Sequence, residues 1–223
     1  MTLEIRWFGQ SAFRLSAGSQ AVMIDPFGRL TPRPGAELRF DYPPIPAQPA
    51  DLLLITHEHQ DHNHAQAVSG TPQVIRSTAG SFDTPIGRVV AIASEHDRLA
   101  GTQRGPNTIF VFTLGGFRIA HFGDFGQSAL RPEQLEALGQ VDLVFLPVGG
   151  GPTIDGQMAA ALSRQIGASW VVPMHYRTAA VNFLEPVDAF LAAMPHQHPV
   201  QSLASLDAPA AEAPTALVLA PPA

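Results

Sequence analysis

The chain of 223 residues contains no cysteine, and it has no lysine either, so all thirteen of its basic side chains are arginine. These absences exclude thiol nucleophiles, disulfides, iron–sulfur clusters and cysteine-ligated zinc. They equally exclude a Schiff-base lysine and the lysine of a phosphate-binding P-loop. Charged residues are scarce too, at 14% against about 25% in ordinary globular chains. No apolar run reaches the roughly 18 residues that a membrane span requires, while 45% hydrophobic content suffices for a core. A soluble globular protein without a membrane span is therefore expected. The formal charge is −6 and the arginines are scattered singly, which argues against a nucleic-acid phosphate track. Met1–Arg6 carries no basic segment followed by an apolar stretch, so the expected location is cytoplasmic.

Nine histidines stand against these gaps, and imidazole is both the commonest metal ligand and the side chain that titrates near neutrality. Alternation over Leu3–Leu15, broken at Gly9-Gln10, predicts two short strands, and Ala21–Asp25 reads as a buried strand ending in a carboxylate. The proline-rich stretch from Pro26 to Pro49, with Pro32, Pro34, Pro43, Pro44 and Pro46, is expected to be a surface loop, because strand-like sequence resumes at Asp51–Thr56. Further strands are predicted at Gln73–Arg76, Arg88–Ala93, Thr108–Thr113, Phe117–His121, Val141–Pro147 and Trp170–Pro173. Helices are predicted at Pro132–Leu138, Asp155–Ile166 and Val187–Ala193. Strands outnumber helices, which predicts a layered α/β domain with substantial antiparallel sheet. A single domain is assigned to residues 1–206. The Ala/Pro-rich tail 207–223 is expected to dock through Thr215–Ala220 as an edge strand or against a partner subunit, which leaves homo-oligomerisation open.

The densest chemistry lies in Thr56-His57-Glu58-His59-Gln60-Asp61-His62, directly after the apolar strand. With nine His and eleven Asp in the chain, a chance H-x-H-x-D-H has a probability on the order of one in a thousand. In an extended segment residues two apart point the same way, so His57, His59 and Asp61 can converge while His62 swings round as the chain turns. Such a set can serve two metals.

This motif resembles that of the metallo-β-lactamase fold superfamily, and later segments extend the resemblance over nearly all of residues 2–190. His96 follows the strand ending at Ala93, Asp124 closes His121-Phe122-Gly123-Asp124, and His175 lies in Pro173-Met174-His175-Tyr176. The resemblance implies a four-layer αββα sandwich of two mixed sheets. It implies one metal held by His57, His59 and His96, a second by Asp61, His62 and His175, and Asp124 bridging both. The branch that looks nearest contains ascorbate-6-phosphate lactonase and the N-acylphosphatidylethanolamine phospholipases D. Trp7-Phe8-Gly9-Gln10-Ser11-Ala12-Phe13, Ile24-Asp25-Pro26-Phe27 and Leu146-Pro147-Val148-Gly149-Gly150 carry that likeness. Relatives often have a histidine where Gln127 stands.

The expected protein is thus a hydrolase with two divalent ions. Nitrogen and carboxylate donors fit Zn²⁺, and also Mn²⁺ or Fe²⁺. A metal-bridging hydroxide would attack a lactone, carboxyl ester or phosphodiester of a small substrate, with Asp61 and Asp124 as catalytic carboxylates. Two other readings are a di-iron redox protein on the same ligand frame and a metal-stabilised binding module without turnover. Arg104 is a candidate grip for an anionic substrate group, and Tyr176 a candidate donor to a developing oxyanion. Asp25 reads either as a carboxylate that orients a ligand histidine or as a turn residue before Pro26. His121 reads as a neighbour of a ligand or a satisfied core-edge imidazole. His64 is expected on the surface and His196-Gln197-His198 in a solvated loop. Gly149, Gly150 and Gly151 are expected to permit a tight turn near the metals.

Overall fold

The computed structural model describes residues 1–30, 37–210 and 213–222. Pro32 and Pro34 of the expected loop, and 211–212 and 223 of the tail, lie outside the described residues. The first strands are β1 (Leu3–Gly9), β2 (Ala12–Ala17), β3 (Gln20–Ile24), the short β4 (Gln48–Pro49) and β5 (Leu52–Ile55). Next come the short β6 (Val68–Ser69), then β7 (Gln73–Arg76), β8 (Gly80–Thr84), β9 (Gly87–Glu95), β10 (Pro106–Leu114) and β11 (Phe117–His121). The second half alternates α1 (Pro132–Leu138), β12 (Leu143–Pro147), α2 (Gly156–Ile166), β13 (Trp170–Met174) and α3 (Asp188–Ala193). It closes with β14 (His196–Val200), β15 (Leu203–Leu206) and β16 (Thr215–Leu219).

Two mixed sheets result. The first has the order β15-β1-β2-β3-β5-β7 and the second β14-β16-β13-β12-β11-β10-β9-β8. Side-chain alternation divides the first sheet cleanly. Trp7, Phe13, Val22, Ile24, Leu52 and Leu54 point into the main core shared with Phe110, Phe112, Phe145 and Val172 of the second sheet. Their neighbours Phe8, Ala12, Met23, Leu53 and Ile55 point the other way, where Phe27, Tyr42, Val181 and Leu184 cover them. Each fully buried large apolar side chain contributes about 1.5–3 kcal/mol, so both faces are held by burial. Of the helices, α2 packs on β12 and α3 on α2. Asp155 caps α2 by accepting from the Met158 N–H at 2.9 Å, and Gly167 ends it in the left-handed region. No helix among the described residues is long and apolar enough to cross a membrane.

The tail differs from its expected place. β16 lies between β13 and β14 and pairs in parallel with both, so it is one strand in from the edge. Its outer neighbour is β14 (His196–Val200), which contains His196-Gln197-His198, expected in a solvated loop. Polar His196, half-buried, and Gln197 and His198, exposed, carry no periodic apolar signal, and an edge strand needs none once β16 supplies the backbone partners.

Pairing directions decide where function gathers. β1, β3 and β5 run the same way, as do β9, β11, β12 and β13. Contacts between residues just beyond these C-terminal ends join the two sheets: Gln10 after β1 meets Asp61 beyond β5 and His175 after β13.

Candidate metal centre

Each chemical residue at this end follows a buried strand, which fixes its origin. Asp25 follows β3, Thr56 and His57 follow β5, His96 follows β9, Asp124 lies three residues past β11, and His175 follows β13. Gln10, Asp25 and His175 have φ of 50°, 45° and 51°, a region that costs a non-glycine residue on the order of 1–3 kcal/mol. Three such residues at one end of the sandwich show that the surrounding structure holds the chain in turns it would not choose. Gly123 allows a close approach: a β-carbon there would lie 2.5 Å from Asn107 Oδ1 and 2.6 Å from Thr56 Oγ1.

One oxygen is the focus. Asp124 Oδ2 lies 3.1 Å from His96 Nε2, 3.1 Å from His175 Nε2, 3.3 Å from His62 Nε2 and 3.8 Å from His57 Nε2. Donor atoms converge in three groups, each within 4.8 Å: His57, His59 and His96; His57, His62 and Asp124; and Asp61, His62 and His175. All seven residues singled out in the sequence are therefore brought together, and the first and third groups have the membership of the two triads that the resemblance implies.

The far side of three rings is tied down. His96 Nδ1 donates to the Pro152 carbonyl at 3.0 Å. Asp25 accepts from the Thr56 backbone N–H at 2.8 Å, from Thr56 Oγ1 at 2.7 Å and from His62 Nδ1 at 3.0 Å. Because the Thr56 hydroxyl gives its proton to Asp25, it accepts from His57 Nδ1 at 3.1 Å. With Nδ1 carrying the proton in all three, the Nε2 lone pairs turn toward the cluster. His57 Nε2 and His62 Nε2 are buried without a hydrogen-bond partner, although Asp124 is near. Buried nitrogens left without partners, aimed at one carboxylate oxygen in a sulfur-free shell, fit divalent cations.

Electrostatics agree. Burial alone would raise the Asp124 carboxyl, but His175, His62 and His96 hold it well below the usual carboxylate range. For His62, burial favours the neutral ring, yet Asp124 and Asp61 outweigh it and raise the pKa well above 6.5. His57 goes the other way, lowered by burial and then by His62. The protein alone thus keeps a proton on His62 where a cation would provide the charge. The cluster is open at one side: His59 is half-buried, and the Asp61 side chain is 22% exposed.

Other candidates divide. Asp25 is both readings at once, a turn residue and the anchor of Thr56 and His62. His121 is fully buried; its Nε2 donates to the Ser11 carbonyl and its Nδ1 accepts from the Gly123 N–H. Gln127 accepts from the Glu95 N–H at 3.1 Å, which steadies the strand end before His96. His64, expected on the surface, is half-buried with its ring against Gly28, since the bond from its backbone N–H to the Pro26 carbonyl, at 2.8 Å, draws the loop inward. Tyr176 is buried with its ring 5.4 Å from Trp7. Arg104 lines a cavity of about 730 Å³ with Asp97 and Pro152, which adjoin His96. Gln10 escaped the sequence reading: its Nε2 donates to Asp61 Oδ2 at 3.0 Å and its carbonyl accepts from the His175 N–H at 3.2 Å. So did Asn107, whose Oδ1 accepts from the Asp124 N–H at 3.0 Å.

Two packed mixed sheets with a histidine–aspartate cluster at one end define a metal-binding class of protein, and likeness to known proteins gives the family. The family model described as a β-lactamase superfamily domain matches residues 4–175. A UPF0173 metal-dependent hydrolase of Thermoplasma acidophilum is 31% identical over 202 residues, covering 79% of this chain and 84% of that protein. One from Methanoculleus marisnigri is 30% identical over 200 residues, with 79% and 82% covered. A solved Thermotoga maritima structure, described as of the metallo-β-lactamase superfamily, gives a TM-score of 0.79 at 28% identity over 97% of this chain and 98% of that one. The chain belongs to the metallo-β-lactamase superfamily of metal-dependent hydrolases.

Proposed function

We propose that the protein holds two divalent cations, one through His57, His59 and His96 and one through Asp61, His62 and His175, with Asp124 shared, and hydrolyses a lactone, carboxyl ester or phosphodiester of a small anionic substrate. One observation carries this reading: four imidazole Nε2 atoms surround Asp124 Oδ2 within 3.8 Å. Zinc suits these donors, and manganese and ferrous iron share the preference for nitrogen and oxygen. Such ions, when bound, lower the pKa of water toward about 7 and polarise a carbonyl or phosphoryl oxygen.

The chain's own groups have separable tasks. Asp25, Thr56 and the Pro152 carbonyl orient His62, His57 and His96. Asp61 moves a proton through Oδ1, because Oδ2 is engaged by Gln10. Tyr176, whose burial pushes its phenol far up and whose neighbour Tyr42 adds to the effect, keeps its proton and donates it as a hydrogen bond to a developing oxyanion. Arg104 holds an anionic group of the substrate.

The test couples metal analysis to a hydrolysis screen over lactones, phosphodiesters and phosphorylated sugar acids, repeated with Asp124→Ala. Two ions per chain, with turnover lost on chelation and in the variant, is the expected result. Full-rate cleavage by chelated protein would overturn the reading.

A further inference from the structure

The cavity beside His96 is lined by side chains of two opposite characters. At about 730 Å³ it falls in the size range of small-molecule sites, roughly 300–1,000 Å³. It belongs to the same end of the sandwich as the cluster. Asp97 is the chain neighbour of His96, Pro152 accepts from His96 Nδ1, and Gly126 lies so close that a β-carbon there would sit 2.5 Å from the His96 carbonyl carbon.

Part of the lining is cationic. Arg98 and Arg104 both line the cavity. The Arg104 guanidinium is exposed and makes no hydrogen bond or ion pair among the described residues. Arg98 has only a contact with Met158 Sδ and a 3.8 Å approach to Asp155, both at the surface. The one carboxylate in the lining does not cancel them, because Asp97 is already spent. Its Oδ1 accepts from the Leu99 and Gly101 N–H groups at 2.7 and 3.0 Å, and its Oδ2 from those of Gln103 and Arg104 at 3.0 and 2.8 Å. Segment 98–104 is thus wound round Asp97, which fixes how Arg98, Leu99 and Arg104 are presented.

Another part is apolar. Of six exposed large hydrophobic side chains among the described residues, Leu38, Leu99 and Phe183 converge on this one cavity. Isolated exposed apolar residues need no explanation, but half of them in one recess beside two arginines does.

We infer that this cavity recognises an amphiphilic anion, with a phosphate or carboxylate on Arg98 and Arg104 and an alkyl or aryl tail against Leu38, Leu99 and Phe183. The inference narrows the substrate class of the proposed hydrolase and rests on that reading only for turnover. Binding is measured separately. Metal-free and zinc-loaded protein is titrated calorimetrically with octyl phosphate, inorganic phosphate and octanol, and the series is repeated with Arg104→Ala and with Leu99→Ser/Phe183→Ser.

Because each buried methylene favours binding severalfold, octyl phosphate should bind at least ~10-fold more tightly than phosphate or octanol in the metal-free protein. Arg104→Ala should erase the advantage over octanol and Leu99→Ser/Phe183→Ser the advantage over phosphate, with thermal midpoints unchanged. Octyl phosphate binding no better than inorganic phosphate, or equally well to parent and variants, would overturn the inference. The metal-free arm needs no turnover, so a failure of the hydrolase reading would show in the hydrolysis screen and leave this result legible.

Discussion

Gln10 Nε2 donates to Asp61 Oδ2 across 3.0 Å and 51 residues of sequence. Asp61 stays ionised although burial alone would raise it, because His62 outweighs the burial, and Gln10 fixes the direction in which that carboxylate faces. Gln10→Met keeps the length of the side chain and removes the donor. The backbone carbonyl of residue 10 would still hold the Trp7 indole N–H and the His175 N–H. On the proposed assignment only the Asp61, His62 and His175 group should suffer, by about 10–100-fold in affinity, as is usual when a partner behind a ligand is lost. Competitive metal titration should show one equivalent unchanged and one weakened. Two unaltered equivalents, or two equally weakened, would remove Gln10 from this role.

How much of this was visible beforehand depends on the range over which each signal acts. The His57–His62 run is local, and so are the buried strands that end before His96, Asp124 and His175, so composition and alternation expose them. Gln10 and Asn107 act through partners 51 and 17 residues away; Gln10 stands in the Trp7–Phe13 segment that carries the family likeness, but nothing near either residue says which group it holds. Asp25 is legible only as an alternative, an orienting carboxylate or a turn residue before Pro26, and its hold on Thr56 and His62 is decided only when β3 and β5 pair. β14 and β15 were invisible for a different reason. They lie on sheet edges, and β15 is fixed by pairing with β1, which lies almost the full chain length away.

Gly149 separates steric from conformational roles among the three consecutive glycines. A β-carbon on Gly149 would collide with the His175 carbonyl oxygen and lie 2.9 Å from Tyr176 Cα, and both are backbone atoms that cannot rotate away. Gly151 has φ of 60° and open space around it. Gly151→Ala should therefore cost only the left-handed conformation, about 1–2 kcal/mol, and leave metal affinity at the parental value. Gly149→Ala should cost at least about 1–3 kcal/mol by overpacking and, by displacing His175, weaken metal binding as well. Urea unfolding paired with metal titration distinguishes the two. Equal metal affinities in both variants would show that His175 does not depend on this close approach.

His121 gives a pH signature that can be read on the metal-free protein. Burial lowers its pKa to about 4, against an ordinary value of 6.5. The Gly123 N–H aimed at Nδ1 also leaves no place for a second proton. Between those values the unfolded chain binds more protons than the native one, so stability rises with pH. The neutral ring's contribution is whole above 6.5, declines as the pH falls, and is fully lost below about 4, for a total on the order of 3 kcal/mol. His121→Gln retains one acceptor and one donor and cannot titrate. Chelated parent and variant, each unfolded in urea at pH 7 and at pH 4.5, should differ in their acid-induced loss by about 2–3 kcal/mol, the parent losing more. The other buried histidines cancel in this double difference. Parallel losses in the two proteins would mean that His121 is protonated in the native state well above pH 4.5 and that its two hydrogen bonds do not hold the ring neutral.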